Sequence, residues 1–221
     1  MTRNLKALGL ALVAVFAMSA VMASAASAES TFKFKLEGTP TKLTGKQHAG
    51  DDIFNTHTGT ISCSEVTYVG EQIGTEVTEI TLTPSFSKCK AFGLFNVPIT
   101  TNECKYTFKP GTKTGTEFTG SVSIVCPAGK VIEVEAPGCK VTYGSQSNLG
   151  GVEYTNIGTT TTREITFDIT LNFVKFEEHS SPLFGICATN TVPTTGGTLF
   201  GSIVLTGANP ATNAHRGIFV G

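Results

Sequence analysis

Six cysteines constrain the possible folds of this chain more than any other feature. They are an even number, and their spacing is wide and irregular: Cys63, Cys89, Cys104, Cys126, Cys139 and Cys187. No Cys-x-x-Cys pair of the kind that zinc sites use is present. In an exported chain an even set of this kind predicts three disulfides.

The first residues have the pattern of a secretory signal peptide. Arg3 and Lys6 precede an apolar stretch over Ala7–Ala20, and small residues follow up to Ala28. We predict cleavage after Ala28, with Ala25 as the alternative site. The apolar stretch is shorter than the roughly 20 residues that a membrane helix needs. The expected mature chain, residues 29–221, is therefore secreted and has no membrane span.

Composition excludes some partners. Charged residues make up 15% of the chain and the formal net charge is −1, well below the usual charged fraction of about a quarter. Because no block of Lys and Arg occurs, we exclude nucleic acid as a partner. About 190 residues are enough for one domain with a sizeable core.

Alternating apolar and polar residues indicate the fold class. Residues Ile165–Phe173 alternate without interruption, which predicts a long strand with Phe173 and the other apolar residues inward. Phe32–Leu36 alternates in the same way. Beyond the signal peptide no stretch has the spacing of an amphipathic helix. The sequence thus predicts an all-β fold, an antiparallel sandwich or jelly-roll-like arrangement stapled by disulfides.

Two hairpins are predicted in the first half. Gly59–Val69 reads as a strand whose alternation breaks near Ser64-Glu65, and Val77–Phe86 returns beside it. Lys109-Pro110-Gly111 is a strong turn signal between a strand that starts at Cys104 and one that ends at Cys126.

One short motif occurs twice, as Cys104-Lys105-Tyr106-Thr107-Phe108 and as Cys139-Lys140-Val141-Thr142-Tyr143. A duplicated hairpin unit is one interpretation. Chance is the other, because threonine and aromatic residues are common in all strands. We therefore treat residues 29–221 as a single β domain.

The cysteine pairing is open, since six cysteines allow fifteen connectivities. Cys89–Cys104 and Cys126–Cys139 would close short loops and leave Cys63–Cys187 as the third pair, which is the pairing we predict. The hairpin around Pro110-Gly111 favours Cys104–Cys126 as the rival, because it brings these two residues close together.

Two polar clusters are candidates for chemistry. His48, Asp51, Asp52 and His57 could ligate a metal, but they lack the spacing of zinc or calcium sites, so we interpret Lys46–Thr56 as a solvated loop.

Glu177-Glu178-His179 could supply an acid and a base. Adjacent strand residues point to opposite faces, however, so a charged strand end that closes in a polar loop over Glu177–Ser181 is the better interpretation. Neither Gly-x-Ser-x-Gly nor a full Walker spacing occurs. We predict no catalytic, cofactor-binding or metal-binding residue and no cofactor.

Ala91-Phe92-Gly93-Leu94-Phe95 is an apolar segment in an expected loop. It forms either a satellite core under the loop or an exposed contact patch, and we favour core.

Several segments resemble a family of proteins. They include Gly59-Thr60-Ile61-Ser62-Cys63, Asn102-Glu103-Cys104-Lys105-Tyr106-Thr107-Phe108, Val152-Glu153-Tyr154-Thr155-Asn156 and Gly217-Ile218-Phe219-Val220. Together they resemble an uncharacterised family of exported, cysteine-containing, β-rich proteins of high-GC actinobacteria, in particular of the Thermoleophilia lineage. The resemblance implies a lineage and a compartment, but no activity, substrate or functional residue.

The expected function is that of a non-catalytic exported protein, structural or binding, with a partner in the cell envelope. A cell-surface hydrolase and a carrier of apolar ligands are the alternatives.

Overall fold

The computed structural model describes residues 32–160, 162–180, 187 and 192–221. These residues form strands and connections, with no helix among them. The predicted all-β class is confirmed. The predicted signal peptide, residues 1–28, lies outside the described part of the chain. The described strands are β1 (Phe34–Leu36), β2 (Thr41–Gln47), β3 (Asp52–Asn55), β4 (Thr60–Gln72), β5 (Glu76–Val77), β6 (Ile80–Ala91), β7 (Phe95–Asn96), β8 (Ile99–Thr100), β9 (Lys105–Thr114), β10 (Glu117–Val125), β11 (Ile132–Ala136), β12 (Cys139–Tyr143), β13 (Gln146–Ile157), β14 (Glu164–Ser180), β15 (Thr194–Ala208), β16 (His215–Arg216) and β17 (Ile218–Val220).

The main sheet closes on itself. Strands β2, β4, β6, β9, β10, β13, β14 and β15 each pair antiparallel with the next strand in this order. Strand β15 then pairs with β2, which completes a ring of eight strands. Since alternate side chains of a strand point to opposite faces, every strand sends one set of residues into the ring. The facing halves of the ring share one core, consistent with the predicted sandwich.

Aromatic rings fill the part of this core that faces β1. Phe167 of β14 lies 5.0 Å from Phe108 and 4.9 Å from Tyr154, measured between ring centroids. Phe34 of β1 adds a further ring at 5.5 Å from Tyr154. All four side chains are fully buried. The interior at this level is thus occupied by the protein's own side chains.

A three-stranded sheet in the order β17-β1-β5 packs against these rings. Its inward residues are buried, as the alternation of Phe32–Leu36 predicts for β1. The Asn156 side chain fixes the last strand, because its amide donates to the carbonyl of Val220 and its oxygen accepts from the amide of Val220, both at 2.8 Å.

The long strand β14 contains a bulge that alternation alone does not predict. Ile165, Phe167, Ile169 and Leu171 are buried as expected, but Phe173 is 76% exposed and has a φ of 62°. The pairing with β15 shifts between Leu171 and Val174. The prediction that Phe173 faces inward is therefore wrong.

Beyond this bulge the chain continues as a strand where we predicted a polar loop. Residues up to Ser180 belong to β14 and pair with β12. Strands β12, β11 and β8 follow as an extension of the main sheet. The loop prediction over Glu177–Ser181 is wrong for residues 177–180, because backbone pairing with β12 outweighs the polar composition.

The predicted loop over Lys46–Thr56 is also wrong in part. Residues Asp52–Asn55 form β3, which pairs with both β15 and β4. Strands β2 and β3 together occupy one position in the ring, separated by the exposed residues 48–51.

The break in alternation near Ser64-Glu65 is confirmed. Both residues are exposed, and so are their neighbours Ser87 and Lys88 on β6. The pairing register is the same on both sides of the break, so both strands shift their alternation together.

Lys109-Pro110-Gly111 does not form the predicted turn. It lies within β9, and the chain turns later, at Gly115-Thr116. Pro110 lies opposite Gly120 of β10, next to an irregularity in the pairing of the two strands. A proline has no amide proton for a ladder, and a bulge is one of the few places where a strand tolerates it.

The predicted three disulfides are confirmed, but the predicted pairing is wrong. The bonds join Cys63 to Cys89, Cys104 to Cys126, and Cys139 to Cys187. Cys89–Cys104, Cys126–Cys139 and Cys63–Cys187 are not formed, and the rival pair Cys104–Cys126 is correct.

Strand register explains the pairs. Cys63 and Cys89 lie directly opposite each other on β4 and β6. Cys104 and Cys126 flank the last pair of the β9–β10 hairpin, Lys105 and Val125. Proximity across strands, rather than a short loop in sequence, decides both bonds.

Candidate functional site

The structure buries one acid from each of the two polar clusters. Asp52 is 1% exposed and Glu178 is fully buried. His48, Asp51 and His57, in contrast, are exposed at the surface. The four residues considered as metal ligands, and interpreted as a solvated loop, are thus divided between interior and solvent. Among the described residues no three of His, Cys, Asp or Glu come together in a way that could hold a metal ion.

Asp52 is the first residue of β3 and lies opposite Cys63 of β4. On the β15 side it faces Gly201, where a methyl group would lie 2.6 Å from Oδ1 of Asp52. The missing side chain of Gly201 therefore makes room for the carboxyl group. The hydroxyl of Tyr68 donates to Oδ2 at 3.4 Å, while Oδ1 has no hydrogen-bond partner among the described residues.

Glu178 enters the interior from β14, beyond the bulge at Phe173. The backbone amide of Thr58 donates to its Oε1 at 3.2 Å. Its Oε2 has no hydrogen-bond partner in the described part of the protein. The interpretation of this segment as a solvated charged end is therefore wrong for Glu178.

The neighbours of Glu178 point outward, as predicted from strand geometry. Glu177 and His179 contact each other on the outer face, with 3.3 Å between Oε2 and Nε2. Glu177 and Glu178 do not converge, so they cannot act as an acid and base pair.

Three tyrosines lie between the two buried acids. The rings of Tyr68 and Tyr106 are 6.1 Å apart, and Tyr143 packs on Phe54 at 5.7 Å. The hydroxyl groups of Tyr106 and Tyr143 have no hydrogen-bond partner among the described residues. We refer to Asp52, Glu178, Tyr68, Tyr106 and Tyr143 as the acid–tyrosine cluster.

Burial controls the ionisation of this cluster. Desolvation raises the pKa of Asp52 from 3.8 to about 7, although the hydrogen bond from Tyr68 works against the shift. The charge of nearby Asp51 raises it further. No Lys, Arg or His belongs to the buried set of the described residues. A negative charge at Asp52 would therefore lack a buried cation to neutralise it.

The tyrosines stay neutral under the same influence. Desolvation is the main cause that raises the pKa of Tyr68, Tyr106 and Tyr143, and the charge of Asp52 raises the first two further. Electrostatic interactions with Tyr106 and Glu178 also raise the pKa of Tyr143. The cluster can therefore take up or release a proton at Asp52 while its phenols remain protonated.

Sequence reasoning found the two acids but missed the tyrosines and the burial. Tyr106 and Tyr143 both come from the repeated Cys-Lys-hydrophobic-Thr-aromatic motif. Their inward direction follows from strand alternation. Their position beside buried acids depends on pairings distant in sequence, which no local pattern contains.

A second candidate is the apolar segment between β6 and β7. Leu94 is 79% exposed and Phe95 is 40% exposed, so the prediction that they form a satellite core is wrong. Phe92 is half-buried and packs on the core, in agreement with that prediction. A methyl group at Gly59 would lie 2.5 Å from the Phe92 ring. We refer to Phe92–Phe95 as the apolar tip.

The fold and these two candidate sites define the class of this protein. It is an all-β antiparallel protein with a closed main sheet, three disulfides and a sealed acid–tyrosine cluster. No family model, curated protein or solved structure matches the chain. The resemblance to exported actinobacterial proteins stays a prediction.

Proposed function

We propose that the protein is a non-catalytic exported module that binds a component of the cell envelope or supports it structurally. Three disulfides support export, because such bonds form and persist in oxidising compartments. In the part of the chain that the structure describes, no helix is long and apolar enough to cross a membrane.

The observation that carries this proposal is the occupied interior of the ring. Phe108, Tyr154 and Phe167 fill the space in which a carrier would hold an apolar ligand. The two interior carboxyl groups, of Asp52 and Glu178, are shielded from solvent and hence from a substrate. Both facts favour a binding or structural module over the carrier and the hydrolase.

The apolar tip is the contact surface that we propose for this module. The Cys63–Cys89 disulfide ties the base of its hairpin to β4. Phe92 has a φ of 55° and Gly93 a φ of 70°, which form the tight turn that presents Leu94. A rigid tip loses little conformational entropy on binding, so its exposed apolar side chains can contribute most of their burial energy.

Co-sedimentation of residues 29–221 with isolated cell envelopes tests this proposal. We expect the wild-type protein to bind saturably and Leu94→Ser to bind at least about tenfold more weakly, because burying a leucine contributes about 1.5–3 kcal/mol. Ile73→Ser is the matched control, since Ile73 is 78% exposed, like Leu94, but lies in the turn that leads to β5.

Three results would count against the proposal in different ways. Absence of saturable binding by the wild-type protein refutes an envelope-binding role. Equal losses in Leu94→Ser and Ile73→Ser refute the assignment of the apolar tip. Turnover of an envelope component by the purified protein refutes a non-catalytic role.

A further inference from the structure

Strand β3 extends the ring by only four residues. It lies between β15 and β4, the same two strands that β2 pairs with at other residues. The exposed residues 48–51 precede it. Because the segment is short and follows a solvent-exposed connection, it can leave its position without moving the longer strands.

Two inward side chains hold β3 in place. Phe54 packs on Phe86 at 5.5 Å and on Tyr143 at 5.7 Å. The other inward side chain is Asp52. One of the two buried side chains of β3 can therefore become charged.

The groups that face Asp52 cannot neutralise that charge. Strand β4 contributes Tyr68, β9 contributes Tyr106, and Gly201 of β15 contributes no side chain. On its own element the neighbouring Asp51 adds a second negative charge.

On the far side of the tyrosines lies Glu178 of β14, next to Tyr143 of β12. No cationic side chain of the described residues is buried with them. An ionised Asp52 in this position would be an unpaired buried charge, which is costly.

We propose that β3 is a proton-operated latch: protonated Asp52 holds β3 between β15 and β4, and loss of that proton releases β3 into solvent. Each opening then releases one proton, and each closure takes one up. Release would expose the edges of β15 and β4 and uncover Tyr68 and Tyr106. The closed ring is therefore favoured in acid and opens locally at neutral and alkaline pH.

Amide hydrogen exchange of β3 tests this inference directly. The pKa of Asp52 is about 7 in the closed ring against the usual 3.8, so between these values opening rises up to tenfold per pH unit. From pH 5 to pH 7 we expect protection of the β3 amides to fall about 50-fold, after correction for the intrinsic exchange rate. Protection in β9 and β10, which do not contact β3 through the ladder, should be unchanged.

Two variants separate the latch from other causes. Asp52→Asn keeps the shape of the side chain but cannot ionise, so its β3 protection should not depend on pH. Asp51→Asn makes the same change one residue earlier at an exposed position, and should behave like the wild type. Wild-type protection that does not change with pH, or a pH dependence that persists in Asp52→Asn, overturns the proposal.

A second measurement decides the question if Asp52→Asn fails to fold. In the wild-type protein, the ¹³C resonance of the Asp52 carboxyl should titrate with a midpoint near 7, the pH at which the fall in β3 protection levels off. A midpoint near 4 would mean that the carboxyl is not held protonated, and it would refute the latch.

Discussion

Gly120 lies where the ring has little room for a side chain. The pairing of β10 is irregular at this residue on both sides, towards β9 and towards β13. A methyl group at Gly120 would lie 2.2 Å from the carbonyl oxygen of Lys109 and 2.6 Å from the ring of Tyr154. Gly120 has no positive φ, so space alone requires the glycine. We therefore predict that Gly120→Ala destabilises the fold.

The size of the effect follows from what must move. Overpacking a core costs about 1–3 kcal/mol, and here the nearest atom belongs to the backbone. The ring of Tyr154 cannot easily move away, because it is fully buried and its hydroxyl donates towards the same Lys109 carbonyl at 3.3 Å. We thus take about 3 kcal/mol for the clash. Restricting the unfolded chain offsets about 0.4–1 kcal/mol, which leaves a net loss of about 2 kcal/mol.

Urea unfolding followed by far-UV circular dichroism or tyrosine fluorescence measures this loss, since the chain has no tryptophan. In thermal unfolding the expected decrease in Tm is about 4–8 °C. Gly150→Ala is the matched control, because a methyl group there would meet no atom within 4 Å. We expect the control to lie within about 0.5 kcal/mol of the wild type. If both variants have the same free energy of unfolding, the packing argument for Gly120 is wrong.

Two further predictions concern charge and covalent bonds. The pKa of Asp52 is raised from 3.8 to about 7 in the folded state. The unfolding free energy should therefore fall by at most about 4 kcal/mol as the pH rises from about 4 to about 7. Urea titrations at several pH values should show this fall in the wild type but not in Asp52→Asn. Replacing Cys104 and Cys126 together by serine opens a crosslink of sequence separation 22 and should cost about 3 kcal/mol. Non-reducing peptide mapping checks the bond itself, and a peptide that joins Cys89 to Cys104 would contradict the structure.

Alternation predicted the strands well wherever the pairing is regular. The inward residues of β14 up to Leu171 are those that the sequence indicates. Two residues later, at Phe173, the prediction fails, because Asn172 and Phe173 are exposed together and the inward set resumes at Val174. A bulge changes the parity of everything after it, and it arises from pairing with a partner strand rather than from local composition.

The local sequence at Pro110 and Gly111 could not distinguish a turn from a bulge. Pro110 and Gly111 have the dipeptide signature of a turn. They also fit a bulge, where Pro110 has no ladder hydrogen bond to lose and a methyl group at Gly111 would lie 3.0 Å from the carbonyl oxygen of Thr119. The local sequence is the same in both cases. The position of Gly120 on the opposite strand favours the bulge.

The candidate site could be predicted only in part. Asp52 and Glu178 were recognised as candidates for chemistry, but polar composition predicted solvent around them. Their burial depends on the pairing of β3 with β15 and of β14 with β12, which are distant in sequence. The disulfide pairing was predicted wrongly for the same reason, since register decides which cysteines face each other.

The Cys63–Cys89 bond explains how the ring can tolerate a strand that opens. Asp52 pairs with Cys63, so this disulfide lies directly beside β3 and fixes β4 to β6 at that level. On the other side, β15 remains paired with β14 along residues 194–205. Both neighbours of β3 thus keep a second partner when β3 leaves. Ionisation of Asp52 therefore releases only the four residues of β3, and the ring of eight strands remains closed.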